Sequence, residues 1–275
     1  MHPTSRRGHS TNSLADTSRF CPICGGDTDE KICPKDRVPT VRHDLVASEH
    51  AEALVGQVFS ERYEVKRIIG EGGFGRVYAA RHLAMDREVA LKVLHPRLTT
   101  DRSHLGRFYR EARTASRLAT NHVVRVFDFG VDEGSGVPFL AMELLIGRTL
   151  GSVIGNGRQL KLKRAASVLA QVTTALVEAE HVGIVHRDLK PDNIFLVKTV
   201  SSGDLVKVVD FGIAKIVARD GSTGVSLTGS GIAMGTPQYM APEQILGEQV
   251  DARTDLYALG CIMHEALTGH PPLTA

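Results

Sequence analysis

The strongest constraint on this chain comes from two short polar segments in its second half. The first, Val185–Asn193, reads Val-His-Arg-Asp-Leu-Lys-Pro-Asp-Asn, and the second, Val208–Gly212, reads Val-Val-Asp-Phe-Gly. Both follow a glycine-rich segment and a strand-like segment that contains a lysine. One short motif can arise by chance, whereas several in this order restrict the chain to very few architectures.

The glycine-rich segment, Gly70–Gly75, reads Gly-Glu-Gly-Gly-Phe-Gly and fits the pattern G-x-G-x-x-G. Glycine lets the backbone approach phosphate oxygens and turn its N–H groups toward them. The residues that follow, Val77–Arg81, are typical of a strand, whereas a dinucleotide-binding loop is followed by a helix. The segment therefore predicts a phosphate-binding loop between two strands or, alternatively, an ordinary tight turn.

A second strand, predicted over Val89–Val93, contains a lysine among apolar residues. Strand alternation places Ala90, Lys92 and Leu94 on one face. Lys92 therefore either extends to water along an edge strand or needs an anionic partner.

The helix predicted between Ser103 and Ala119 supplies a candidate partner for that lysine. Its apolar stripe, set by three- and four-residue spacing, includes one carboxylate: Phe108, Glu111, Ala115 and Leu118. Burying an unpaired charge is costly, so Glu111 either meets Lys92 or lies solvated at the edge of the stripe.

Strand-like patterns prevail up to about Leu145, and helical periodicity follows. One helix is predicted over Arg164–His181, with an apolar face of Val168, Leu169, Val172 and Leu176. Another is predicted over Asp255–Leu267, with a face of Leu256, Leu259 and Met263. Strands followed by helices indicate an α+β architecture with a cleft between two lobes.

With these motifs in this order, the chain resembles the protein kinase superfamily, and in particular the eukaryotic-like (Hanks-type) serine/threonine kinases of bacteria. The spelling Lys190-Pro-Asp-Asn193 is similar to the serine/threonine branch. The resemblance implies a two-lobed fold with a β-rich N-lobe at about 56–145 and a helical C-lobe at about 146–275. It also implies transfer of the ATP γ-phosphate to protein Ser/Thr hydroxyls with the help of Mg²⁺.

The resemblance also assigns the catalytic roles. Asp188 would accept or orient the proton of the substrate hydroxyl, and Lys190 would steady the transferring phosphoryl group. Asn193 and Asp210 would hold Mg²⁺, and Lys92 would pair with Glu111. His186 would be structural, although a histidine beside an aspartate could be mistaken for a general base.

The nucleotide would lie between the lobes. Met142 looks like the gatekeeper, and Glu143–Leu145 looks like the hinge whose backbone meets adenine; each of these residues could also be ordinary core. The full set of implied nucleotide contacts is Gly70, Glu71, Gly72, Gly73, Phe74, Gly75, Val77, Ala90, Lys92, Met142, Glu143, Leu145 and Phe195.

The stretch from Gly212 to Glu243 resembles the activation segment of this family, and its Gly, Ser and Thr content predicts mobility. Thr228 and Ser230 match positions that bacterial relatives phosphorylate on themselves, and Thr236 lies at the end of the same segment. A phosphate there could pair with Arg187 and order the loop. An unmodified loop is the alternative.

Three of the four cysteines lie close together near the start. Cys21 and Cys24 form a C-x-x-C turn, and Cys33 and Asp36 repeat the spacing with an aspartate, so the segment looks like two zinc knuckles. The fourth ligand would be Asp36 or His43. Free thiols are the alternative to a structural zinc.

Composition sets the remaining expectations. We expect a disordered lead at 1–19, a zinc-ribbon-like segment at 20–37, a linker at 38–55 and an incomplete kinase domain at 56–275. Lysine and arginine total 33 against 31 acidic residues, without runs of like charge, so a nucleic-acid partner is not expected. The chain has no apolar segment long enough to span a bilayer, and we expect it to be cytoplasmic. Expected partners are protein substrates and, for autophosphorylation, a second copy.

The match to the family is expected to be partial at the C-terminus, because no arginine partner for Glu243 is evident in the sequence. A truncated, non-catalytic nucleotide-binding or scaffold module is therefore the alternative to an active kinase. A small-molecule phosphotransferase is a third reading, disfavoured by the Ala241-Pro-Glu243 ending of the activation segment.

Overall fold

The computed structural model describes residues 19–42, 54–72, 75–95, 102–198, 203–211 and 237–273. The predicted α+β, two-lobed architecture is confirmed: a six-stranded sheet with one long helix precedes a mainly helical region. Among the helices in these ranges, none combines the length and the apolar character needed to cross a bilayer.

A small antiparallel sheet comes first in the chain. Its strands are β1 (Arg19–Phe20), β2 (Asp27–Thr28) and β3 (Val41–Arg42), in the order β2-β1-β3. Because β3 pairs with β1, this unit reaches Arg42, beyond the boundary at residue 37 that its cysteine spacing predicts. We call residues 19–42 the cysteine unit.

The large sheet is antiparallel, with strand order β4-β5-β6-β7-β9-β8. Its strands are β4 (Val58–Phe59), β5 (Tyr63–Gly72), β6 (Gly75–His82), β7 (Arg87–Leu94), β8 (Val126–Val131) and β9 (Pro138–Glu143). The helix α1 (Arg102–Ala115) connects β7 to β8 and packs beside this sheet.

The alternation predicted for β7 is confirmed by its two apolar surroundings. Val89, Leu91 and Val93 belong to one core cluster with Tyr63 and Phe139. Ala90 and Leu94 belong to a different cluster, which contains the buried residues of α1. The face of β7 that carries Lys92 is therefore the face covered by α1.

The remaining elements surround a second sheet, of order β10-β11-β12. They are β10 (Gly147–Thr149), α2 (Leu150–Ile154), α3 (Leu162–His181), β11 (Ile194–Lys198), β12 (Asp204–Val208), α4 (Pro242–Leu246) and α5 (Ala252–Thr268). A single apolar cluster joins α3, strands β11 and β12, and α5. The predicted face of α3 is largely confirmed, since Val168, Val172 and Leu176 are buried and Leu169 is partly buried.

The predicted face of α5 is wrong. Leu256 and Met263 are 55% and 48% exposed, and Leu259 is only partly buried. The helix instead buries a face of smaller side chains and polar residues: Thr254, Asp255, Ala258, Cys261, Ile262 and Ala266. Small residues let α5 lie close to its neighbours, and the buried polar groups have partners that hydrophobicity alone does not reveal.

Candidate active site

The segment that carries Asp188 is held from beneath by a residue of α5. The Asp255 carboxylate accepts the backbone N–H of His186 at 2.6 Å and that of Arg187 at 2.9 Å. Burial raises the pKa of Asp255, an effect opposed by the nearby His186 and the two N–H groups. We did not identify Asp255 as a site residue from the sequence; its signal is an acidic residue that lies in the first turn of α5 and on its buried face.

His186 lies beneath the site and is fully buried. Its Nε2 is 2.9 Å from the carbonyl oxygen of Val209, and its ring is 4.7 Å from the ring of Phe211. These contacts connect the two polar motifs of the sequence through one side chain. They support a structural role for His186, because the ring is occupied by the scaffold.

Two non-glycine residues of the site have a left-handed backbone. Arg187 has φ of 63° and Asp210 has φ of 58°. Such conformations are uncommon and persist where the surroundings hold them, most often at functional sites. At Arg187 the surroundings include the Asp255 carboxylate on its N–H and Gln244 Nε2, which donates to its carbonyl oxygen at 2.8 Å.

Three of the predicted catalytic side chains meet directly. Lys190 Nζ lies 3.3 Å from Asp188 Oδ2. Asn193 Nδ2 donates to the Asp188 carbonyl oxygen at 2.8 Å and lies 3.5 Å from its Oδ2. Because the amide nitrogen of Asn193 is used in this way, its oxygen remains available as a ligand for a hard cation.

A fourth predicted side chain, Lys92, connects the large sheet to the active-site residues of the other lobe. Lys92 Nζ donates to Asp210 Oδ1 at 2.6 Å, and the lysine side chain is only 10% exposed. Burial alone would raise the pKa of Asp210, but the Lys92 ammonium outweighs it, so the pKa lies below its usual value. A buried ammonium and an ionised carboxylate from opposite lobes therefore meet at the same point.

The glycine-rich segment is a β-hairpin rather than the start of a helix. Gly70, Glu71 and Gly72 end β5, and Gly75 begins β6; Gly73 and Phe74 lie outside the described residues. A Cβ on Gly75, whose φ is +152°, would lie 2.1 Å from the carbonyl oxygen of Val93. Only glycine fits that contact, which places the start of β6 close beside the end of β7 in the same sheet.

The predicted nucleotide contacts lie on adjacent strands. Val77 pairs with Lys92 across β6 and β7, and Ala90 pairs with Met142 across β7 and β9. Leu145 is partly buried and packs against the apolar cluster that contains Ala90 and Met142. Phe195, on β11 of the second sheet, is half-buried.

Glu143, which the sequence predicts to be a hinge residue, has a partner that was not predicted. Lys207 Nζ, on β12, lies 2.8 Å from Glu143 Oε2, and the lysine side chain is 10% exposed. This ion pair connects the end of β9 to the sheet of the other lobe. A lysine alternating with valines in β12 was its only signal in the sequence.

Several of the predicted site residues have side chains outside the described part of the chain. The helix α1 carries Glu111, but its side chain is outside the described part of the chain, as are Thr228, Ser230, Thr236 and His43. Glu243, for which the sequence offers no arginine partner, accepts a hydrogen bond from Thr254 Oγ1 at 2.7 Å.

The cysteine unit brings its four candidate ligands together. The sulfurs of Cys21, Cys24 and Cys33 and a carboxylate oxygen of Asp36 all lie within 4.8 Å of one another. Ligands of tetrahedral zinc at Zn–S distances near 2.3 Å are roughly 3.8 Å apart. Asp36 Oδ2 lies 3.2 Å from Cys21 Sγ and 3.6 Å from Cys33 Sγ. The donor set and its dimensions therefore fit a zinc ion.

Backbone groups also point at these sulfurs. The N–H groups of Ile23 and Cys24 lie 3.4 and 3.5 Å from Cys21 Sγ, and that of Asp36 lies 3.3 Å from Cys33 Sγ. Burial raises the pKa of the Cys21 thiol to about 12, whereas the Asp36 N–H lowers the pKa of Cys33. None of the cysteines forms a disulfide.

Comparison with known proteins agrees with this geometry. The family model for the protein kinase domain matches residues 63–275. The chain is 44% identical over 221 residues to the serine/threonine-protein kinase pkn3 of Myxococcus xanthus, covering 80% of this chain and 40% of that protein. It is 42% identical over 217 residues to PknB of Mycobacterium tuberculosis, covering 78% of this chain and 34% of that protein.

Solved structures give the same result. The kinase domain of Mycobacterium tuberculosis PknI superposes with a TM-score of 0.63 at 30% identity, covering 81% of this chain and 80% of that domain. This chain covers 40% and 34% of the length of the two curated relatives. The chain belongs to the protein kinase domain family.

Proposed function

We propose that this chain is the catalytic domain of a bacterial-type serine/threonine protein kinase, which transfers the ATP γ-phosphate to Ser or Thr hydroxyls of protein substrates. The observation that carries the proposal is the junction of Lys92 with Asp210, 2.6 Å apart, beside the group formed by Asp188, Lys190 and Asn193. Phosphoryl transfer needs little covalent chemistry from the protein, and this junction offers positive charge, oxygen ligands and one base.

Each side chain has a role that its contacts support. Asp188 orients the substrate hydroxyl and accepts its proton, since Lys190 and Asn193 hold its carboxylate in place. Lys190 then lies where it can also contact the transferred phosphoryl group. Lys92 extends toward the phosphates from β7, which pairs with β6 next to the glycine-rich hairpin.

The Mg²⁺ that the family implies fits the oxygens present. Asp210 offers a carboxylate, and Asn193 offers the amide oxygen left over by its bond to Asp188. When bound, Mg²⁺ would neutralise charge on the phosphates. The protein's part is to hold both ligands in place through the left-handed backbone at Asp210 and the short 3₁₀ turn Pro191–Asn193.

A phosphorylation assay tests this function. The chain is incubated with labelled ATP, Mg²⁺ and a basic protein substrate beside the Asp188→Asn variant, and labelled amino acids are identified after hydrolysis. We expect label on serine or threonine from the parent chain only. ATP binding without transfer would favour the alternative, a non-catalytic nucleotide-binding module.

We also propose that activation-segment phosphorylation at Thr228, Ser230 or Thr236 raises activity. Arg187, adjacent to Asp188 and fixed by Asp255, would bind the phosphate. Such self-phosphorylation would require transient contact between two copies. If a Thr228→Ala/Ser230→Ala/Thr236→Ala chain stayed as active as the parent after both were treated with phosphatase, this part would be wrong.

We further propose that Cys21, Cys24, Cys33 and Asp36 hold a structural zinc ion. The fit of their ligand atoms supports this, and the absence of disulfides among the described cysteines agrees with a reducing cytoplasmic location. Elemental analysis after purification without chelators should give about one zinc per chain. A value near zero would contradict the proposed zinc site. A periplasmic distribution in cell fractionation would contradict the proposed cytoplasmic location.

A further inference from the structure

The cysteine unit does not stand apart from the kinase domain but packs on α1. Its buried residues Phe20, Cys21, Cys33, Val38 and Val41 form one continuous apolar cluster with buried residues of that helix. The helix contributes Leu105, Phe108, Tyr109, Ala112 and Ala115. Two of the proposed zinc ligands are therefore part of the packing that positions α1.

A glycine of α1 lies directly against the cysteine unit. A Cβ on Gly106 of α1 would lie 2.5 Å from the carbonyl oxygen of Pro22, which lies between the ligands Cys21 and Cys24. Alanine is a better helix former than glycine, so a glycine within a helix is a cost unless something needs the space. Here the space is occupied by the metal-binding turn itself.

Polar contacts hold the edge of the unit. The Arg19 side chain is nearly buried and donates from Nε to Thr40 Oγ1 and from Nη2 to the Thr40 carbonyl oxygen, both at 2.8 Å. Its Nη2 also lies 3.5 Å from Glu133 Oε1, in the turn between β8 and β9. The unit thus contacts both α1 and the sheet beside it.

The same cluster extends to the nucleotide side of the domain. It includes Ala90, Leu94 and Met142 on strands β7 and β9, next to Lys92. The helix between the two regions carries Glu111, the predicted partner of Lys92. The helix α1 therefore packs against the cysteine unit and also against strand β7, which carries Lys92.

The cysteine unit cannot keep its own shape without help, because its strands are only two residues long. Units of this size depend on a metal for stability. We propose that zinc in the cysteine unit works as a clamp on α1, so that metal occupancy sets the position of the helix and, through it, catalytic output. This inference rests on the proposed zinc site and the proposed kinase activity.

Two substitutions separate the metal from the contact. Cys24 is the exposed ligand, so Cys24→Ser removes a zinc ligand without disturbing the buried cluster. Gly106→Ala keeps every ligand but adds a methyl group against Pro22. The matched control is Gly260→Ala in α5, because a Cβ there meets no atom within 4 Å.

The readouts are zinc content, amide hydrogen exchange of α1 and phosphorylation of a basic protein, all on the full chain. For Cys24→Ser we expect zinc well below one per chain, and exchange in 102–115 faster by roughly tenfold or more while α3 is unchanged. Activity should fall in parallel. For Gly106→Ala we expect zinc retained but the same changes in α1 and activity, and for Gly260→Ala none of them.

The double variant Cys24→Ser/Gly106→Ala should be no worse than Cys24→Ser alone, since a released unit no longer meets the added methyl group. Loss of zinc with unchanged α1 exchange and activity would overturn the clamp while leaving the site intact. Zinc-free parent protein would instead remove the site. If Cys24→Ser does not fold, the test rests on Gly106→Ala alone. Amide exchange of α1 in that variant at the rate of the parent would then overturn the inference.

Discussion

Asp255, in the first turn of α5, accepts a hydrogen bond from the backbone N–H of His186 at 2.6 Å. The bond to Arg187 beside it makes the carboxylate a bridge between that helix and the segment that ends in Asp188 and Asn193. Because Asp255 is buried and its carboxylate is bonded to the backbone of His186 and Arg187, we expect it to act on catalysis by positioning the neighbouring catalytic residues.

Replacing Asp255 by alanine leaves two backbone donors without their acceptor. We expect the free energy of unfolding to fall by about 2–5 kcal/mol, since each bond to a buried carboxylate is stronger than a neutral one. The conservative Asp255→Asn change should lose less stability yet still lower kcat by roughly tenfold or more, because only one of two donors can be satisfied. Urea unfolding and steady-state kinetics measure both. The exposed Asp86→Asn is the control, and equal kcat in the two asparagine variants would contradict the prediction.

Removing the Lys92 ammonium should change how stability depends on pH. In the parent, the pKa of Asp210 lies below its usual value, so its contribution to stability is present above the ordinary pKa and is lost as pH falls through the lowered value. In Lys92→Met the main charge that opposes burial is gone, and only His186 and Lys190 still lower the pKa of Asp210, so this pKa is higher than in the parent and the contribution to stability is smaller. The difference in free energy of unfolding between parent and variant should therefore grow as the pH rises from about 3 to about 6.

Urea unfolding at several pH values tests this, with the exposed Lys66→Met on β5 as the matched control. The same Lys92→Met variant should lose phosphoryl transfer by roughly a hundredfold or more. A stability difference that stays constant with pH would show that Lys92 and Asp210 do not interact in solution.

Alanine at Gly75, the first residue of β6, should be harmful, whereas alanine at Gly72, three residues earlier in the same hairpin, should not. Gly75→Ala places a methyl group on the Val93 carbonyl oxygen at a φ that side chains avoid, so we expect a loss of about 2–4 kcal/mol. Gly72→Ala meets no atom within 4 Å and should leave the free energy of unfolding unchanged. Thermal or urea unfolding of the two variants compares them directly; similar stabilities would mean that β6 moves aside.

The ion pair between Glu143 and Lys207 should contribute a measurable coupling energy. Both partners are partly shielded from water, at 33% and 10% exposed, so the pair is worth about 1 kcal/mol, with solvent screening reducing it. A double-mutant cycle with Glu143→Gln and Lys207→Met measures this term. Additive effects of the two single changes would mean that the contact is not formed in solution.

Local patterns were sufficient for much of this protein. The strand alternation around Lys92, the apolar face of α3 and the order of the motifs are all written in short windows of sequence, and each has the predicted counterpart in the structure. Periodicity failed on α5, because its largest apolar residues, Leu256 and Met263, are exposed while Ala258 and Cys261 are buried. Which face is buried depends on what packs there, and this information lies elsewhere in the chain.

The amino-acid sequence by itself determined the class of fold, the residue types of the site and the three cysteines of the cysteine unit as candidate ligands, since these follow from spacing and side-chain chemistry. Only the tertiary structure decided that Asp255 supports His186, that Lys207 meets Glu143 and that the cysteine unit lies on α1. The reason is physical. Each of these contacts joins residues distant in the chain, and its energy depends on burial and distance, which exist only after the chain has folded.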